Sequence, residues 1–167
     1  MSIPFNPREL LALAIKIEEN GFDYYSRMAA QVQNPAVKEL FELLAKAEEQ
    51  HIVDFNKIRD LMPDQPYEIP EEYNSPEIEG YLRSFADGKV FPHLRSADDI
   101  AREIKSEEAA IQHAISFEKD AIIFFSEIYD MLPADVPERG SVAQLIHQEK
   151  IHIAKLYILL GNTTEGH

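Results

Sequence analysis

Residues 47–51 read Ala-Glu-Glu-Gln-His (AEEQH) and lie in the middle of a long helical pattern. Glu48 and His51 are three positions apart, so both side chains lie on one face of that helix. The same face carries Leu44 one turn earlier and Phe55 one turn later, which makes it the face that packs into a core. A carboxylate and an imidazole at core positions need compensating partners, because burying a charged group without one is costly. The stretch therefore predicts a buried helix that carries a polar site.

An internal repeat doubles this pattern. Residues 14–28 (AIKIEENGFDYYSRM) align without gaps on residues 114–128 (AISFEKDAIIFFSEI), at an offset of 100. Residues 47–51 align on residues 148–152 (QEKIH), at an offset of 101. The chain is therefore interpreted as two copies of one helical hairpin, related by a pseudo-twofold axis.

Apolar periodicity and capping residues predict four long helices, and no alternating pattern predicts a strand. Residues 63–96 contain five prolines and one short helical pattern near 76–86, so they are interpreted as a crossover between the two hairpins. We expect one all-α domain over 1–167, a four-helix bundle with helices at about 7–33, 35–62, 97–132 and 141–160. The expected end signals, in chain order, are Asn6, Asn34, Ser75, Ser96, Ser141 with Gln144, and Gly161.

Six polar residues occupy core stripes in the two copies, and no Lys or Arg lies beside them on those stripes. Four buried carboxylates would cost more than a marginally stable domain can absorb, unless protons or cations neutralise them. A Glu plus a Glu-x-x-His pair in each half suits two metal ions bridged by carboxylates. The predicted metal-ligating and catalytic residues are Glu18, Glu48, His51, Glu118, Glu149 and His152.

Other acids, histidines and aromatic residues fall off these stripes or fit the core. Acids expected on the solvated face are Glu19, Glu49 and Glu127, and histidines expected on the surface are His93, His113 and His147. Tyr25 and Phe125 are expected to pack in the core, and a tyrosine at that height could also hydrogen-bond a ligand.

Composition excludes several function classes. The chain has 30 acidic and 16 basic residues, a formal charge of −14, which disfavours binding to nucleic acid or to anionic membrane surfaces. It has no cysteine, which excludes disulfides, iron–sulfur clusters and Cys-ligated zinc within it, so any metal must be held by oxygen and nitrogen. No stretch approaches membrane-spanning length, and a cytoplasmic location is expected.

Together the motifs IEENGFDYY (17–25), AEEQH (47–51), FEKDAIIFF (117–125) and QEKIH (148–152) resemble the rubrerythrin branch of the ferritin-like superfamily. The resemblance extends over nearly all of residues 8–160. It implies a ferritin-like four-helix bundle, commonly a homodimer, with a non-haem di-iron centre on the six residues named above.

Two departures from the family pattern stand out. Rubrerythrins usually carry a C-terminal rubredoxin module, for which this chain has neither the length nor the cysteines, so an external electron donor such as a separate rubredoxin-like protein is expected. They also place a further Glu ligand one turn after the third-helix Glu, where this chain has Ala121. This departure leaves open the redox-linked ligand exchange and the efficient peroxide turnover that the resemblance implies, and the site resembles the six-ligand type of bacterioferritin-like oxidases as much.

Four functions remain open at this point. The leading hypothesis is a di-iron oxidoreductase that reduces hydrogen peroxide or dioxygen, with Glu48 and Glu149 bridging the metals and Glu18 and Glu118 terminal. The alternatives are ferrous iron oxidation and iron handling, manganese catalase-type activity, and a metal-free interaction bundle. Ligand type alone separates iron from manganese poorly.

Overall fold

The computed structural model describes residues 7–65, 67–86 and 96–164. These ranges contain six α-helices and one 3₁₀ turn. The helices are α1 (Pro7–Gln31), α2 (Pro35–Leu61), α3 (Pro76–Ala86), α4 (Ala97–Glu103), α5 (Glu107–Met131) and α6 (Pro137–Thr164), and the 3₁₀ turn is Glu71–Tyr73.

The long helices pair as two hairpins, with α1 packed most extensively on α2 and α5 on α6. Asn34 begins α2, and its side chain accepts a hydrogen bond from the amide of Ala36 at 2.9 Å. Contacts between α1 and α5 and between α2 and α6 join the hairpins into a four-helix bundle. The all-α bundle predicted from periodicity is confirmed. Asn6, the expected cap of the first helix, lies outside the described residues.

The predicted helix over 97–132 is wrong in one respect, because it is interrupted between α4 and α5. Ile104 and Ser106 have extended backbones, and the Ser106 hydroxyl caps α5 by accepting from the amide of Ala109 at 3.0 Å. Glu107 then accepts hydrogen bonds from the amides of Gln33 and Asn34, both at 2.7 Å. The interruption therefore places a carboxylate on the turn between α1 and α2, which helical periodicity could not show.

The last helix begins earlier and ends later than the expected 141–160. Pro137 takes the first helical position, where its missing N–H costs nothing. Ser141 is therefore inside α6 rather than at its cap. The expectation that Gly161 ends the helix is wrong, since α6 continues to Thr164, and there the hydroxyls of Thr163 and Thr164 donate to the Leu160 carbonyl.

The described part of the crossover contacts α5 through Tyr73 and Tyr81. Its helix α3 begins after Ser75, whose hydroxyl accepts from the amide of Ile78 at 3.2 Å, as the sequence predicts. Tyr73 and Tyr81 donate to the two carboxylate oxygens of Glu127, at 3.3 and 3.0 Å. Glu127 is therefore half-buried under the crossover, and its expected placement on the solvated face is wrong.

The buried apolar residues form two clusters rather than one continuous core. Along α1, the buried apolar residues between Leu10 and Ile17 belong to the first cluster and those between Tyr24 and Ala29 to the second. Helix α6 has the reverse order, with residues 142–146 in the first cluster and Leu156 and Leu159 in the second. The layer between the two clusters holds buried carboxylates and imidazoles. The core therefore seals a polar layer on both sides.

No helix in the described ranges is both long enough and apolar enough to cross a membrane.

Candidate metal centre

All four long helices contribute to the polar layer. Helix α1 supplies one carboxylate, α5 another, and α2 and α6 each supply a carboxylate and an imidazole. None of the six side chains belongs to a residue more than 5% exposed: Glu18, Glu48, His51, Glu118, Glu149 and His152. The structure therefore brings together every residue that the sequence singled out as a metal ligand.

The six side chains divide into two overlapping sets of four that could each hold a metal ion. Within each set, one donor atom per residue lies within 4.8 Å of the others. The first set is Glu18, Glu48, His51 and Glu149, and the second is Glu48, Glu118, Glu149 and His152. Glu48 and Glu149 belong to both sets, whereas Glu18 and Glu118 belong to one set each.

The two imidazoles turn the same nitrogen inward. Nδ1 of His51 lies 2.7 Å from Glu149 Oε1 and 3.3 Å from Glu18 Oε2. Nδ1 of His152 lies 2.8 Å from Glu149 Oε2 and 3.6 Å from Glu118 Oε1. The rings are nearly parallel, with centroids 5.5 Å apart and planes inclined by 16°. One nitrogen donor is thus available to each set.

The donor atoms fit a pair of cations because they are buried without adequate protein partners. Within the described ranges, these side chains ion-pair only with the two histidines of the layer. Buried atoms there without a hydrogen bond of good geometry include both oxygens of Glu18 and of Glu149, Glu48 Oε1, Glu118 Oε2, and Nδ1 of both histidines. Two divalent ions would neutralise four carboxylates and satisfy these atoms together.

Burial raises the pKa of three of the carboxyls. For Glu18 and Glu48 the pKa lies well above the usual range, because burial and neighbouring carboxylates both oppose ionisation. Burial and the charge of Glu149 raise the pKa of Glu118 to about 8. In the absence of cations, the layer therefore holds protons at neutral pH.

Glu149 and the histidines shift toward their charged forms. Burial opposes ionisation of Glu149, but the imidazoles of His152 and His51 outweigh it and hold the pKa of that carboxyl well below its usual range. Burial lowers the pKa of His51, and its contact with Glu149 overcomes this and raises the pKa to about 9. Burial likewise opposes protonation of His152, and contacts with Glu118 and Glu149 raise its pKa to about 10.

Two hydrogen bonds support the six residues from outside. The phenol of Tyr25 donates to Glu118 Oε1, so the fully buried Tyr25 both packs in the core and holds a member of the cluster. The amide oxygen of Gln148 lies 2.6 Å from Nε2 of His51. Sequence reasoning missed Gln148, although it stands immediately before Glu149 in the repeated motif.

Gly21 makes room for one shared carboxylate. A Cβ at this position would lie 2.9 Å from Glu48 Oε2 and 2.8 Å from Cε1 of Phe117. Both distances are shorter than real contacts of a Cβ atom, so α1 approaches the cluster closely because it has no side chain here. The repeat partner of Gly21 is Ala121, which is 2% exposed and packs in the first apolar cluster.

Some of the residues expected outside the site lie where the sequence predicts, and others do not. Glu19, Glu49 and His147 are exposed, as the sequence predicts. His113 is instead half-buried, because it packs beside Tyr24, with ring centroids 5.0 Å apart and ring planes inclined by 50°. His93 lies outside the described residues.

Comparisons with known proteins agree with this architecture. The family model described as Rubrerythrin matches residues 9–160. A crystal structure of a Thermotoga maritima protein described as a ferritin-like diiron-carboxylate protein aligns with a TM-score of 0.67 and 23% sequence identity. The alignment covers 98% of this chain and 99% of that chain, and it shows that the two share the ferritin-like fold. Among curated proteins, no relative matches the sequence.

Proposed function

Because the chain belongs to the rubrerythrin family, we propose that it is a non-haem di-iron oxidoreductase that reduces hydrogen peroxide or dioxygen. The family predicted from the four motifs is confirmed by the match over residues 9–160. The observation that carries the proposal is the pair of overlapping donor sets, buried between two apolar clusters and sharing Glu48 and Glu149.

In this proposal each half of the repeat provides the terminal ligands of one ion. Glu18 and His51 would hold one ion, Glu118 and His152 would hold the other, and the shared Glu48 and Glu149 would provide oxygen ligands to both. Glu48 and Glu149 are suited to bridging because each belongs to both sets. Oxygen and imidazole ligands suit iron, and the T. maritima protein of the same fold is described as a diiron-carboxylate protein.

Two ferrous ions bound here would supply the two electrons that, with two protons, convert one hydrogen peroxide into two waters. The protein's own part is to orient the ligands and to exclude bulk water. Large buried side chains close the layer on both sides, among them Phe55 and Phe125 in the first cluster and Tyr25 and Phe41 in the second. Tyr25 keeps a proton at its phenol oxygen, directed at Glu118 Oε1.

Repeated turnover requires a partner that returns two electrons. The 167 residues contain no cysteine, so a rubredoxin-like protein outside them is the proposed donor. A homodimer is proposed from the family resemblance, and a cytoplasmic location is proposed because the 167 residues contain no cysteine and therefore no disulfide. The strong negative charge supports attraction of cations and disfavours nucleic acid and anionic membrane surfaces as partners.

The test begins with metal content. Metal-free protein is loaded with ferrous iron under anaerobic conditions and desalted, and its iron is measured by elemental analysis. We expect two irons per chain in the wild type and a large loss in Glu48→Gln. Glu49→Gln is the matched control, since it changes the neighbouring acid on the exposed face. Equal loss of iron in both variants would contradict the proposed site.

The second stage separates the candidate reactions. The ferrous protein is mixed with equal concentrations of hydrogen peroxide and of dioxygen, and oxidation of the iron is followed by absorbance. Oxidation by neither would overturn the oxidoreductase proposal. Rapid oxygen evolution from peroxide without added reductant, in protein loaded with manganese, would replace it by catalase-type chemistry. Many ferric ions kept soluble per chain would replace it by iron storage.

A further inference from the structure

The repeat is symmetric in its six donor residues and asymmetric in the residues that support them. Tyr25 donates to Glu118, whereas the position that corresponds to Tyr25 in the other half is Phe125, which has no hydroxyl for Glu18. His51 contacts Gln148. The residue that corresponds to Gln148 in the other half is Ala47.

The contact with Gln148 determines which nitrogen of His51 can bind a cation. The amide oxygen accepts from Nε2–H at 2.6 Å, so that when His51 gives up its second proton to bind a cation, the lone pair is on Nδ1, the nitrogen that lies beside Glu18 and Glu149. Within the described ranges, His152 has no corresponding hydrogen bond at its Nε2, and Ala47 offers no side-chain acceptor. Only one of the two imidazoles is therefore held in the ligating tautomer by a side chain.

Burial and oxygen availability favour the same half. The side chain of His51 is 1% exposed and that of His152 is 7% exposed. Neither buried oxygen of Glu18 has a hydrogen bond of good geometry, whereas Glu118 Oε1 already accepts from Tyr25. The half with Glu18 and His51 thus offers a pre-oriented nitrogen, two available oxygens and less access for water.

We propose that the two metal positions are inequivalent, that the Glu18–His51 position binds its ion first and more tightly, and that Gln148 is the positioning residue responsible. This inference rests on the proposed function, because it requires the cluster to bind two divalent ions. Loss of an outer hydrogen bond to a ligating histidine typically lowers metal affinity about 10–100-fold. The first binding step is expected to weaken by that factor when Gln148 is truncated.

Gln148 can be changed without disturbing the core. It is an exposed residue that lines a surface groove of about 250 Å³ between α2 and α6. Gln144 lies one turn earlier on α6, lines the same groove and is also exposed. Gln144→Ala is therefore a matched control that removes a glutamine from the groove without touching His51.

The experiment titrates Co²⁺ into metal-free protein and follows both binding steps by calorimetry and visible absorption. The wild type is expected to bind two ions in two resolved steps. Gln148→Ala should weaken the first step about 10–100-fold and leave the second unchanged, while Gln144→Ala leaves both unchanged. Gln148→Glu, which keeps an acceptor oxygen at the same reach, should restore most of the first step. Urea unfolding of the metal-free variants verifies that all of them fold.

A gain-of-function variant tests the same inference in the other half. Ala47 is half-buried on α2, so Ala47→Gln places an amide where the repeat symmetry relates it to His152 as Gln148 is related to His51. The affinity of the second Co²⁺ binding step should rise. The difference in affinity between the two steps should therefore become smaller. An unchanged second step would count against the amide as the cause of the inequivalence.

The possible failures are distinguishable. Two Co²⁺ ions bound with equal affinity, or a Gln148→Ala variant that weakens both steps equally, would overturn this inference while leaving the proposed di-metal site intact. No binding of Co²⁺ or Fe²⁺ by the wild type would overturn the proposed function itself.

Discussion

Tyr25 on α1 donates a hydrogen bond to Oε1 of Glu118 on α5, and both side chains are fully buried. The bond joins the two halves of the repeat, because the donor belongs to the first hairpin and the acceptor to the second. Phe125, the repeat partner of Tyr25, shows that a phenylalanine ring is accommodated at the corresponding place in the other half. Loss of the hydroxyl is therefore separable from loss of the ring.

Tyr25→Phe should lower the free energy of unfolding of the metal-free protein by about 1–3 kcal/mol, because it leaves a buried carboxyl oxygen without its donor. Urea unfolding monitored by circular dichroism measures the change. The control is Tyr157→Phe, since Tyr157 is 49% exposed and its hydroxyl accepts from Lys119 at the surface. Its expected change is within about 0.5 kcal/mol. Equal losses of unfolding free energy in both variants would show that the hydrogen bond from Tyr25 to Glu118 does not stabilise the fold more than a surface contact does.

Gly21→Ala should disturb the metal site despite the better helix propensity of alanine. The new Cβ would meet Phe117 at 2.8 Å and Glu48 Oε2 at 2.9 Å, so the shared carboxylate must move. Overpacking of this kind typically costs about 1–3 kcal/mol, which exceeds the gain of roughly 1 kcal/mol expected from alanine in a helix. The thermal unfolding temperature and the iron content per chain should both decrease.

The control for that variant is Gly80→Ala in α3, where a Cβ would meet no atom within 4 Å. It should raise the free energy of unfolding by up to about 1 kcal/mol and leave the iron content unchanged. A Gly21→Ala protein that binds two irons and unfolds at the wild-type temperature would contradict the close approach of α1 to Glu48.

Glu18→Leu should leave the stability of the metal-free protein unchanged or higher, and it should abolish the stabilisation by metal. In the metal-free protein, replacement of a buried carboxyl whose oxygens lack partners by an apolar side chain should be neutral or stabilise the fold by up to about 4 kcal/mol. The variant should also lose the stabilisation that saturating metal gives the wild type, about 2.7 kcal/mol at a concentration of 100 Kd. Urea midpoints with and without Fe²⁺, under anaerobic conditions, measure both effects.

Glu19→Leu is the neighbouring control, since Glu19 is exposed and pairs only with Lys16 in the described ion pairs. It should change the unfolding free energy by less than about 0.5 kcal/mol and preserve the metal response. If Glu18→Leu kept the full stabilisation by metal, Glu18 would not be a ligand.

The stability of the metal-free protein should fall as pH rises from about 5 to about 10. Glu118 has its pKa raised to about 8, and His51 and His152 have theirs raised to about 9 and 10, so the folded state binds more protons than the unfolded state in this range. Stability from the histidines is complete below pH 6.5 and is lost as pH passes their folded pKa values. Glu149, whose pKa is lowered, has the opposite effect. Its stabilising contribution is complete above about pH 4.5 and is lost as the pH falls below that value.

Urea unfolding at pH 5, 7 and 9 measures this trend. Saturating metal should flatten it or reverse it, because the ligands bind in their deprotonated forms and affinity rises with pH. A metal-free protein that grew more stable from pH 5 to pH 9 would contradict the proton-holding layer.

The helices and the six donor residues could be predicted because both depend on periodicity along one helix. Spacings of three, four and seven residues place Glu48 beside His51 and align Glu18 with Leu11 and Tyr25, whatever the rest of the bundle does. The family could be predicted for the same reason, since its motifs are short helical patterns. Repetition at offsets of 100 and 101 made isolated polar residues a coherent set.

The helix ends were less predictable, because several residues compete to cap them. Ser96 and Ser106 are both good caps in the same periodic segment, and the tertiary contact of Glu107 with the turn at Gln33 and Asn34 accompanies the break. Pro137 and Ser141 competed in the same way at the start of α6, where proline occupies the first position.

The amino-acid sequence by itself determined an all-helical duplicated bundle and the stripe of carboxylates and imidazoles inside it, because side-chain direction in a helix repeats every 3.6 residues. The sequence also singled out Glu48 and Glu149 as the shared carboxylates, whereas only the tertiary structure decided that Tyr25 holds Glu118 and that Gln148 holds His51. Those relationships join different helices, so they depend on rotation and register between helices, which no periodicity within one helix encodes.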